Sequence, residues 1–96
     1  LWGRITVSLT RYANPAVAAK TFVCDSGKTL TGIGDRACLV DHKPPKEGVG
    51  ASVSIEAQRK YDDVRVDYYS FPGDGHTVDD AAHLATAQEI TRQLLA

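Results

Sequence analysis

The chain predicts an α+β domain: an antiparallel sheet of three to five strands, a short cross-linked helix or loop, and a C-terminal amphipathic helix packed on one face. Three observations carry that expectation. Apolar and polar residues alternate in separate stretches near residues 5, 53 and 66, as half-buried strands require. The residues after Val78 repeat their apolar side chains at helical spacing. Two cysteines, Cys24 and Cys38, offer one crosslink between the halves of that pattern. With 96 residues the chain is a single domain, 1–96, whose core is small enough for a staple to matter.

The first element is the clearest. Over residues 4–12, Ile5, Val7 and Leu9 fall on one face and Thr6, Ser8 and Thr10 on the other, predicting a strand with one buried and one wet face. Asn14-Pro15 ends it in a turn. A second strand is expected from Val17 or Lys20 to Cys24, with a short helical turn through Ala16, Ala18 and Ala19 as the alternative. Residues 25–36 read as loop. Asp35 is placed to cap a short helix from Arg36 to Asp41, which would hang Cys38 opposite Cys24. The Pro44-Pro45 run between Lys43 and Gly48 cannot lie inside a sheet and reads as an exposed connection.

Val49, Ala51, Val53, Ile55 and Ala57 then alternate with Gly50, Ser52, Ser54 and Glu56, and Val64, Val66 and Tyr68 alternate with Arg65, Asp67 and Tyr69. With a turn at Asp62-Asp63, these two strands form an antiparallel hairpin. Phe71-Pro72-Gly73 closes it. Thr77 is the expected N-cap of the last helix, with Asp79 and Asp80 at the positive end of its dipole. Leu84, Ala87, Ile90, Leu94 and Leu95 share one arc, and Gln88, Glu89, Arg92 and Gln93 the other.

Composition narrows the function. Eleven Lys and Arg against twelve Asp and Glu give a net charge of −1, which argues against phosphate neutralisation and hence against a nucleic-acid partner. No apolar run is long enough for a membrane helix, so no membrane insertion is expected. The excess of basic side chains in the first half and acidic ones in the second reads as solvated surface. A start at Leu1 rather than Met is expected either of a processed chain or of a piece excised from a longer one; a secreted location makes Cys24–Cys38 a disulfide, and a cytosolic one leaves two buried free thiols.

No catalytic fingerprint is found: none of the serines lies in a Gly-x-Ser-x-Gly elbow, and a bonded cysteine pair leaves no thiol nucleophile. The best metal candidate is His76, Asp80 and His83, but His76 falls outside the helix, and His83 lies on the apolar arc as a partly buried histidine would. Gly73-Asp74-Gly75 could form an anion nest, which Asp79 and Asp80 would oppose. The reading is of a protein with no cofactor, no metal and no catalysis of its own. Arg59 and Lys60 remain, where a strand gives way to a turn, as basic side chains offered to a partner.

Here Ile5-Thr6-Val7, Thr21-Phe22-Val23-Cys24-Asp25 and Arg36-Ala37-Cys38-Leu39 resemble the opening of the Streptomyces subtilisin inhibitor family, secreted inhibitors of serine proteases, and Tyr61-Asp62 resembles the pair that follows its scissile bond. The resemblance covers about a third of the chain. It implies a binding loop of Arg59, Lys60, Tyr61 and Asp62, with Arg59 in the protease's primary pocket and Lys60 after the bond, and trypsin-like targets. The chain departs from that family in having no second disulfide to brace this loop, no His-Pro pair in the glycine-rich segment, and no matching counterpart for the C-terminal helix. The function expected is therefore binding of a protein partner, a protease first. The alternative is a secreted effector or killer-toxin-like protein of fungal type that acts on a host or competitor target. Inhibition needs a rigid exposed loop at Gln58–Asp62; the alternative needs nothing there.

Overall fold

The computed structural model describes residues 2–24, 27–45, 50–71 and 78–96. In chain order they form β1 (Trp2–Arg11), α1 (Pro15–Thr21), β2 (Lys28–Leu30), β3 (Arg36–Lys43), β4 (Ala51–Arg59), β5 (Asp62–Phe71) and α2 (Asp80–Leu94). The strands make one antiparallel sheet in the order β1-β5-β4-β3-β2, so β2 to β5 run as a meander and β1 joins it at the far edge. The fold is α+β, with the C-terminal helix against one sheet face.

Alternation sets the two faces. Ala37 pairs with Ala57, Ala57 with Val64, Leu39 with Ile55, and Ile55 with Val66, so these apolar side chains point together toward α2. Val53, Ile55, Ala57, Val64, Val66 and Ala87 are fully buried there, and Ile33 and Leu95 close one end. His83 sits in the same layer at 4% exposure. Its ring stacks 4.2 Å from that of Tyr68, and its Nε2 donates to the Tyr68 carbonyl at 3.1 Å.

β1 departs from the expected half-buried strand. Ile5, Val7 and Leu9 share the face of α2 yet are 48%, 45% and 65% exposed. A helix with side chains is about 10–12 Å wide and strands lie about 4.8 Å apart, so one helix covers about two strands. α2 packs over β4 and β5, and β1 lies beyond its reach.

Three further expectations are corrected. The segment before Cys24 is not a strand but the helix expected as its alternative, α1, followed by non-strand chain, because Asn14 caps it by accepting from Val17 N at 3.0 Å and Pro15 starts it. Arg36–Asp41 is strand β3, not a helix; a register shift between Leu39 and Asp41 accommodates the extra residue Val40. The hairpin turn is at Lys60 and Tyr61, because Asp62 and Asp63 are already paired across the sheet with Arg11 and Thr10. At α2 the N-cap is Asp79, which accepts from Ala82 N at 3.1 Å. Thr77, Val49, the Gly73-Asp74-Gly75 run, His76 and the segment 46–48 lie outside the described residues.

The face opposite α2 is polar and holds the crosslink. Cys24 and Cys38 form the expected disulfide, with Cα atoms 5.7 Å apart, and Cys38 is buried. Beside it, Arg36 Nη1 donates to Gln58 Oε1 and Gln58 Nε2 donates to Asp63, each at 2.8 Å. Burial pushes the Asp63 carboxyl up, opposed by the Gln58 bond, and burial followed by repulsion from Asp63 pushes Glu56 up. A raised carboxyl destabilises the fold once ionised, and that cost disappears as pH falls through the folded-state pKa. Glu56→Gln should therefore melt higher than the parent at neutral pH, with the difference closing toward about pH 4, the ordinary carboxyl range. Thermal melts across that range check it; equal melting temperatures at neutral pH would contradict the assignment.

Candidate functional site

The residues singled out as a binding loop, Arg59, Lys60, Tyr61 and Asp62, come together at the tip of the β4–β5 hairpin. Arg59 and Asp62 are the closing pair, so only two residues make the turn. Arg59 and Lys60 are exposed; Tyr61 and Asp62 are half-buried. Gln58, expected at the start of an exposed loop, is instead completely buried in the chain of bonds from Arg36 to Asp63.

Lys60 takes φ 56, the left-handed region where glycine or asparagine normally sits. A side chain there costs on the order of 1 kcal/mol. The backbone is held in that geometry from three sides. Lys60 N donates to the Asp35 carboxylate at 2.7 Å, and Asp35 N donates back to the Gln58 carbonyl at 2.7 Å. The Gly32–Asp35 segment can approach this closely because Gly34, at φ 56, has no Cβ; one would meet the Gln58 carbonyl oxygen at 2.5 Å. From β1, Tyr12 N donates to the Tyr61 carbonyl at 2.8 Å, and Arg11 pairs with Asp62 at 2.8 Å while lying 4.9 Å over the Tyr61 ring. From the C-terminus, the Leu95 carbonyl accepts from Arg59 Nη1 at 2.8 Å.

These contacts divide the two basic side chains. Arg59 is committed to the C-terminal backbone. Among the described residues no ion pair or side-chain hydrogen bond is found for the Lys60 ammonium, and the residue is exposed. Lys60 lines an open groove of about 440 Å³ whose other walls include Leu9, Arg11, Tyr61 and Leu94. One exposed rim thus brings together aromatic, aliphatic and basic groups. The Arg11–Asp62 pair is exposed and screened by solvent, and the same guanidinium covers the Tyr61 ring.

Asp35, Arg11 and Leu95 were not legible as parts of this site. They stand 25, 51 and 36 residues from their partners, and only the folded sheet brings them together. Of the alternative metal group, His76 lies outside the described residues; Asp80 accepts from His42 Nε2 at 2.8 Å, and His83 turns to Tyr68. Among the described residues, no helix is long and apolar enough to cross a membrane. No family model matches this chain, and no curated protein or solved structure matches it either.

Proposed function

We propose that this is a secreted protein that acts by binding another protein, a serine protease of trypsin-like specificity, and that Lys60 is the side chain offered to the protease's acidic primary pocket. The observation that carries the reading is Lys60 itself: an exposed, unpaired basic residue held by surrounding bonds in a backbone conformation that glycine would adopt more cheaply. Strain kept at an exposed tip is explained by what the side chain does there. The bonds from Asp35, Tyr12 and Arg59 supply the preorganisation that a second disulfide gives the inhibitor family this chain resembles, so little ordering entropy is lost on binding.

The mode differs from the one the resemblance implies. Arg59 is tied to Leu95, so the pocket role passes to Lys60. A substrate lies through a protease cleft as an extended strand; this tip is a two-residue turn and enters as a plug, with neither bond of Lys60 presented for cleavage. A disulfide in a small protein is compatible with the extracellular location such a role requires.

Lys60→Gly separates stability from binding. It should raise the melting temperature by about 4–8 °C, for a gain on the order of 1 kcal/mol, while weakening trypsin inhibition by at least about 100-fold. Arg59→Ala should change inhibition by less than about tenfold, since its side chain points to the C-terminus. Inhibition constants and melts of the three proteins check this. A Lys60→Gly variant as potent as the parent would overturn the assignment. The second reading, an effector or toxin-like binder without protease inhibition, is favoured by one observation: the C-terminal backbone is drawn onto the hairpin, which builds a groove beside the tip and not only a projecting finger.

A further inference from the structure

The two edges of the sheet are finished differently. β2 is three residues long, which leaves almost no edge to pair with. β1 is ten residues long, pairs with β5 without a bulge, contains no proline, and carries charge only at Arg4 and Arg11. None of the devices that normally blunt an edge strand interrupts its middle.

The backbone groups on that open edge can be identified. Tyr12 N donates to Tyr61, so Tyr12 turns its hydrogen-bonding groups toward β5. Antiparallel ladders alternate, so Arg4, Thr6, Ser8 and Thr10 do the same, and Gly3, Ile5, Val7, Leu9 and Arg11 direct theirs outward. The same Ile5, Val7 and Leu9 expose their side chains on the α2 face.

We infer that β1 pairs with β1 of a second copy of this chain, antiparallel about a two-fold axis at Val7, to give one continuous ten-stranded sheet. The strand is self-complementary in this register. Val7 meets its own copy, Ile5 meets Leu9 of the other chain, and Thr6 meets Ser8, so apolar faces apolar and hydroxyl faces hydroxyl. All outward backbone groups from Gly3 to Arg11 find partners. The charges also fit a second copy: Arg4 falls opposite Thr10 of the other chain, whose neighbour on β5 is Asp63, and the two Arg4 residues stand about 20 Å apart along the ladder. No like charges are opposed. Pairing also joins the two exposed Ile5-Val7-Leu9 stripes into one strip flanked by the two α2 helices.

The test is the mass in solution of the disulfide-bonded protein, measured by sedimentation and light scattering from about 1 to about 500 µM. The expected result is conversion to twice the mass of one chain as concentration rises. Val7→Lys puts two ammonium groups at the two-fold axis and should raise the dissociation constant by at least about tenfold. Val7→Pro removes an outward N–H without touching the β1–β5 ladder and should do the same. Thermal melts at the lowest concentration verify that both variants are folded. A chain that stays monomeric to the highest concentration, or a dimer unaffected by both variants, overturns the proposal; the monomeric result would leave the β1 edge to an extended segment of another protein.

Discussion

Replacing both cysteines with alanine should lower the stability by about 3 kcal/mol and the melting temperature by more than about 10 °C. The disulfide closes a loop from Cys24 to Cys38 that contains β2 and the turn carrying Ile33 and Asp35. Opening that loop returns its closure entropy to the unfolded chain, and the term is large beside the total stability of a domain of this size. The native state weakens in the same place. β2 pairs with β3 over three residues and packs Leu30 against the core, and Ile33 reaches the core from the turn between them. Since the same turn places Asp35 against Lys60, loss of the bridge should also loosen the hairpin tip. Equilibrium denaturation of the double variant measures the effect; a loss under about 1 kcal/mol would mean that the rest of the sheet orders this segment without help.

Ile55→Ala should cost about 3 kcal/mol, within the range of buried large-to-small changes. Ile55 is fully buried at the centre of the sheet, between Leu39 on β3 and Val66 on β5, under Ala87 of α2. These three neighbours belong to elements fixed by ladder or helix bonds, so they cannot collapse into the space left behind. Ile55→Val, which removes one methyl group, should cost about 1 kcal/mol. The urea midpoint should move with its slope unchanged, since the same surface is exposed on unfolding. A cost under about 1 kcal/mol for the alanine variant would place the centre of the core elsewhere.

Strict alternation made β1, β4, β5 and the fold class legible, because period two is visible in Ile5-Val7-Leu9 and Val53-Ile55-Ala57 without knowledge of any neighbour. β3 was not legible because its extra residue puts Leu39 and Val40 side by side and destroys the period. The helix α1 was signalled by Ala16, Ala18 and Ala19, while Asn14-Pro15, read as a turn, serves equally as an N-cap followed by a helix start. The turn was misplaced by two residues because Asp favours turns, whereas Asp62 and Asp63 are held by Arg11 and Gln58, partners far away or across the ladder. Of the site, the exposure of Arg59 and Lys60 was legible from their place at a strand end. Which of the two is free was not, since that depends on where the C-terminus docks.

The most direct test of the central claim is a stoichiometric titration of trypsin with the purified protein, with subtilisin alongside, following residual activity and intact mass together. The account predicts that trypsin activity falls to zero near one equivalent and that the Arg59–Lys60 and Lys60–Tyr61 bonds remain uncut. Full trypsin activity at excess protein, or cleavage at either bond, would contradict it.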